Sequence, residues 1–114
     1  MIGLILNIIA SILKWALQYP CYIYGSIVSL SKGEFNEWNK DLALSKDRYG
    51  NVLIEYLANQ VLIKSNGYKF GNPLDTISKV LGKNKATGTL TYLGFLIAYV
   101  LNKLDKNHVE NAVK

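Results

Sequence analysis

The sequence predicts an all-α protein in two parts. Residues 1–31 form a hydrophobic, amphipathic N-terminal arm, membrane-associating or membrane-spanning, and residues 32–114 form a small basic domain of three or four helices. Three observations predict it. Apolar residues recur at helical spacing in separate stretches, Asn, Pro and Gly punctuate those stretches at cap positions, and residues 1–31 carry a single charge, Lys14. With 114 residues, half of them apolar, the chain can build one modest core.

In the first stretch, "MIGLILNIIASILKWALQYP", Ile5, Ile8, Ile9, Ile12, Leu13 and Ala16 share one broad helical face. Asn7, Ser11, Lys14 and Gln18 recur every three or four residues as a narrow polar stripe. Pro20 is expected to end or kink this helix, because its ring clashes with the preceding turn. A span over 2–19 would reach about 27 Å, just short of a hydrocarbon core of about 30 Å. An interfacial helix fits better, with Trp15, Tyr19, Tyr22 and Tyr24 as headgroup-level anchors beside Ile5, Ile8, Ile9, Ile12 and Leu13. A secretory signal is disfavoured: no Lys or Arg precedes the apolar run and no small-x-small site follows it. A core helix of a soluble bundle is the competing reading. "CYIYGSIVSLS" continues without charge and suits helix or strand. Cys21, the lone cysteine, is expected to be a buried inert thiol.

Residues 32–51 are polar and weakly periodic, and read as a linker with a short helix around 38–44, broken by Gly33 and Gly50. Asn51 is expected to cap the next helix, whose Leu53, Ile54, Leu57, Ala58 and Val61 share a face; Asn66 or Gly67 then stops it in the left-handed conformation. In "FGNPLDTISKVLGKNK", Asn72 suits an N-cap, Pro73 the first helical position and Asp75 the third. Ile77, Val80 and Leu81 turn inward, and Gly82 ends the helix. The stretch from Thr89 to Leu104 is apolar on most sides, with Leu90, Leu93, Leu96, Ile97, Val100, Leu101 and Leu104 on one face and Tyr92, Phe95 and Tyr99 on a second. It is expected to be the central core helix. Asp105 should cap a short final helix that carries the only histidine, His108.

The net charge of +5 concentrates late: residues 64–114 hold eight lysines against Asp75, Asp105 and Glu110. Such a surface favours phosphates, with Lys79, Lys83 and Lys85 as candidate anion or headgroup contacts. No nucleic-acid motif accompanies it. One Cys and one His exclude a zinc site built from them within one chain, and no cofactor is implied. Weak catalytic candidates are His108 with Asp105, Asp75, Thr76 or Ser78, without a nucleophile elbow or an oxyanion loop.

The motifs "YGN" at 49–51, the 70–85 stretch, "GTLTYLG" at 88–94 and "LDKNH" at 104–108 resemble a group of small phage and prophage proteins. That group shows the pattern NPDETIS…GK followed by IDxxHC. Thr76, Ser78, Gly82, Lys83, Asp105 and His108 match it, whereas Leu74, Asp75 and Val109 depart from it. The resemblance implies phage or mobile-element origin and no particular reaction. The functional expectation is a non-enzymatic protein at a host envelope or in a virion, its partners being membrane lipids or a membrane or virion protein, with an oligomer allowed. A soluble helical interaction module is the alternative, and a minimal hydrolase using His108 ranks third.

Overall fold

The computed structural model describes residues 1–114, and it is all-helical. Six helices follow in order: α1 (Ile2–Lys32), α2 (Phe35–Leu53), α3 (Glu55–Val61), α4 (Ile77–Thr87), α5 (Tyr92–Leu104) and α6 (His108–Val113). Two compact units divide the chain, Met1–Asp41 and Leu42–Lys114.

In the first unit α1 does not stop at Pro20. It runs on for 31 residues, so 21–31 is helix rather than strand. A proline inside a helix leaves the carbonyl four residues back without its amide partner. Here that carbonyl belongs to Ala16, an exposed residue open to solvent. Gly33, at φ 73°, ends α1: its own N–H reaches Leu30 O and the next amide, Glu34, reaches Ser29 O. The expected linker is instead the long helix α2, which carries Gly50 without breaking. Its Phe35, Trp38, Asn39 and Leu42 make one half-buried stripe, too narrow to stand out from the polar residues around it. Trp38 lies over Gly25, where an added Cβ would sit 2.4 Å from the indole. Tyr22 stacks on Trp38 at 5.3 Å and donates its hydroxyl to Asn39 Oδ1 at 2.8 Å. Cys21 is exposed, contrary to the buried thiol expected; it lies just before the segment that α2 covers.

In the second unit the centre is α4, not α5. Val80 and Leu81 of α4 are completely buried, together with Ala58, Leu62, Ile63, Phe70, Leu90, Ala98 and Val109. α5 buries only Gly94 and Ala98 and leaves Tyr92, Leu93, Phe95, Leu96, Tyr99, Val100 and Leu104 exposed. Its near-uniform apolarity pointed to the interior; the structure covers one narrow side of it. An isolated antiparallel bridge, Ile63 with Leu90, closes the gap between α3 and α5.

Several helix boundaries also move. α4 starts at Ile77, capped by Thr76, whose side chain accepts from Lys79 N at 3.0 Å. Asn72 and Pro73 belong to the turn before it: Asn72 Oδ1 accepts from Leu74 N, and Asn72 O from Asp75 N. Gly82 lies inside α4, and Gly88 at φ 70° supplies the left-handed cap. α3 ends at Leu62 in right-handed geometry, so neither Asn66 nor Gly67 is its cap. Asn107, left-handed at φ 58°, stands at the start of α6 where Asp105 was expected. Asn51 is no cap either: it is wholly buried in the last turn of α2.

Gly82 is a packing residue. A Cβ there would lie 2.1 Å from Val109 O and 2.5 Å from Val113 Cγ2, so α6 sits against bare α4 backbone. An exposed helical glycine gains about 1 kcal/mol on becoming alanine. Gly82→Ala should reverse that sign and destabilise by about 1–3 kcal/mol through overpacking, read as a lower urea midpoint for the full chain.

Candidate functional site

On α1, no part of the window long and apolar enough to cross a membrane is buried within the chain. Ile5, Ile8, Ile9, Ile12, Leu13, Trp15, Tyr19 and Tyr24 are all exposed, Trp15 at 78% and Tyr24 at 71%. Tyr22 differs, its ring being engaged by Trp38. Ser29 is the only buried residue of α1.

In the second unit the catalytic candidates fall into separate groups. Asp75 is 3% exposed. Its Oδ2 accepts from the Tyr68 hydroxyl and its Oδ1 is 3.1 Å from Lys79 Nζ. The Tyr68 hydrogen bond, reinforced by Lys79, holds the Asp75 carboxyl below the ordinary carboxylate value against the opposing effect of burial. The same bond pushes the Tyr68 hydroxyl up. Thr76 is occupied as the cap of α4.

Ser78, His108 and Asp105 form one hydrogen-bonded chain. His108 Nε2 is 2.9 Å from Ser78 Oγ, and Nδ1 is 3.0 Å from Asp105 Oδ2. Helix α4 presents Ser78 in its first turn, α6 opens with His108, and Asp105 closes α5. With Nδ1 protonated toward Asp105, Nε2 is the acceptor for the serine hydroxyl, the tautomer that a general base requires. Ser78 is nevertheless 4% exposed. Two hollows of the unit, about 610 and 480 Å³, are lined by other residues, among them Tyr68, Lys83, Lys85 and Glu110.

Of the candidate anion contacts, Lys79 pairs with Asp75 and Lys85 with Glu110. Lys85 in turn holds the Glu110 carboxyl below its ordinary value. The Lys83 ammonium lies 4.2 Å over the Tyr68 ring, a cation–π contact at the edge of the larger hollow. Two of the three cations are thus partly neutralised by carboxylates. No cluster of three or more His, Cys, Asp or Glu side chains is placed to hold a metal ion.

Tyr68 and the buried asparagines behind the site were absent from the sequence-based candidates. Their signal was present in part. Asn84 follows Val80 by one turn, which places its amide on the apolar phase of its helix, and Asn51 stands three residues before Ile54 in the sequence. Tyr68 sits in irregular chain, where periodicity says nothing.

In comparisons with known proteins, no family model matches the chain, and no curated protein or solved structure matches it either.

Asp75 gives a pH prediction. Its folded value lies below the ordinary 3.8, so the stabilisation is complete above that range and is lost as pH falls through the folded value. Asp75→Asn should lower stability at neutral pH by about 1–3 kcal/mol and flatten the acid-side fall, which chemical denaturation of both proteins from neutral to acid pH would measure.

Proposed function

We propose that this is a small, non-enzymatic membrane-associated protein whose α1 embeds in the interfacial region of a bilayer. One observation carries the reading: a 31-residue apolar helix with one internal lysine has no part of its apolar window buried by its own chain. Thirteen Leu, Ile and Val residues lie on α1. At roughly 0.3–0.6 kcal/mol each they favour lipid by about 4–8 kcal/mol, against about 2.5–3.5 for Lys14 even at mid-bilayer. The polar stripe narrows that margin and favours a helix lying in the interface over one crossing it. The start of α2 supports the same choice. Trp38 covers Gly25, and the neighbouring Glu37, Lys40 and Asp41 are exposed, so the end of α1 must stay near water. The setting implied by the phage-protein resemblance is a host envelope or a virion membrane.

Flotation with vesicles of phosphatidylcholine and phosphatidylglycerol tests this. The full chain should rise with the lipid, and Ile9→Glu with Ile12→Glu should cut the bound fraction by more than about tenfold, since each buried Ile contributes about 1.5–3 kcal/mol. A chain that stays monomeric at the bottom of the gradient favours the soluble interaction module instead.

A second reading rests on the Ser78–His108–Asp105 chain. His108 Nε2 would take the Ser78 hydroxyl proton as Oγ attacks the carbonyl carbon of an ester, then return it to the leaving alkoxide; water would release the acyl group by the same route. It stands behind the first because Ser78 is buried. A fluorophosphonate probe should label Ser78 in the full chain and fail with His108→Gln. Without labelling, the chain of bonds is a tie between α4 and α6, and Ser78→Ala should cost only about 1 kcal/mol of stability.

A further inference from the structure

The second unit has an apolar surface of its own, on a different helix from the anchor. Along about 20 Å of α5, Tyr92, Leu93, Phe95, Leu96, Tyr99, Val100 and Leu104 are all exposed, Tyr92 at 84% and Leu104 at 81%. The opposite side of α5 is fixed: a Cβ on Gly94 would lie 2.2 Å from Leu62 O, and Thr91 Oγ1 donates to Val61 O at 2.6 Å. The helix therefore cannot roll to hide its outer face. Contiguous apolar exposure on this scale marks a contact surface.

Resting on the lipid-association reading above, we propose that the outer face of α5 is a second lipid-contacting surface that seats the Leu42–Lys114 unit on an anionic bilayer. Charge selects the occupant. From Thr76 to Leu104 there is no Asp or Glu. Of its four lysines, Lys79 and Lys85 are paired with Asp75 and Glu110, while Lys83 and Lys103 lie over the rings of Tyr68 and Tyr99. Lys103 lies 5.7 Å over the Tyr99 ring, on the exposed helix itself. Two carboxylates lie near the C-terminal end of α5 and both are engaged: Asp105 with His108, and Glu110 with Lys85 and Asn102. A second copy would bring the same cations together, whereas anionic headgroups neutralise them. The outer face also offers few polar groups, chiefly the Tyr92 and Tyr99 hydroxyls and Lys103, to set a register against a protein. A bilayer needs none, and tyrosines suit its interface.

The test uses the full chain with Cys21→Ser and an environment-sensitive dye on Leu96→Cys, with Tyr99→Cys as a second site and Lys114→Cys as a reference outside the face. Trp15, in a Trp38→Phe background, reports α1 independently. With equimolar phosphatidylcholine and phosphatidylglycerol vesicles, dye at 96 and 99 should blue-shift and brighten by roughly twofold or more as it leaves water. Brominated lipid should quench it, pure phosphatidylcholine should give a weaker response, and the reference should not move. Trp15 quenched by brominated lipid with both α5 dyes unmoved overturns the proposal and leaves the anchor standing. All probes unmoved overturns both. Dye at 96 shielded without lipid, in a chain that migrates as a dimer, assigns the face to a second copy and overturns the lipid surface.

Discussion

Three asparagine side chains, Asn51 and Asn84 buried and Asn59 half-buried, hold the second unit together where regular structure is missing. Between α3 and α4 the backbone from Lys64 to Thr76 makes almost no helical or strand hydrogen bonds, yet Phe70 and Asp75 are buried. Buried amides and carbonyls left unpaired cost about 1–3 kcal/mol each. Asn51 answers for Gly71 N, Asn72 O and Asp75 O; Asn59 brackets Phe70 through both its N–H and its C=O; Asn84 does the same for Tyr68 and also accepts from Thr89 Oγ1. Asparagine suits this work because one planar amide carries a donor and an acceptor that mimic a strand edge. Once the loop is fixed, Thr76 stands where it can cap α4, and α4 then presents Ser78, Lys79 and the Val80–Leu81 core pair.

That arrangement explains where the sequence was legible and where it was not. The apolar phase of α1, the Ala58 position of α3 and the inward trio Ile77, Val80 and Leu81 follow from periodicity and are found buried or aligned as the spacing implies. Boundaries failed where one local signal could serve two purposes. "NPLD" is a valid helix start, but Asn51 reaches the carbonyls of Asn72 and Asp75 from 21 and 24 residues away and holds them in a turn. Gly82 reads as a stop by composition; only the proximity of Val109 O gives it another purpose. Pro20 is tolerated because the carbonyl it orphans is not buried. The Ser78–His108–Asp105 chain joins residues that the sequence could only name together, since 30 positions separate Ser78 from His108. The fold class needed only local information; the site needed long-range contacts.

The distribution of polarity in the second unit runs against the usual order for a water-soluble domain. Asn51 and Asn84 are completely buried, while Tyr56, Leu57, Leu53, Tyr92 and Leu104 are more than half exposed. A domain of this size buries a smaller fraction of its surface than a large one, so some apolar residues must remain outside. Small size does not explain why seven exposed apolar and aromatic residues lie together along α5. An apolar environment is one in which such exposure carries no cost, and that is the setting the lipid-association proposal assigns to this face.

The bonds around α6 bear on how the serine and histidine are used. A six-residue helix has no stability of its own, so α6 must be fastened from outside. Val109 plugs against Gly82, Asn102 accepts from Val109 N at 3.0 Å, Glu110 meets Lys85, and His108 meets Ser78. His108, Val109 and Glu110 thus each have a partner on α4 or α5. A histidine recruited only for chemistry would stand apart from such a fastening, whereas His108 is one of its members. A hydrogen bond that both anchors a helix and aligns a base can serve two ends, but catalysis would additionally require a path to Ser78 Oγ. The same packing that places the hydroxyl so well buries it, and this is the physical reason for ranking lipid association ahead of acyl transfer.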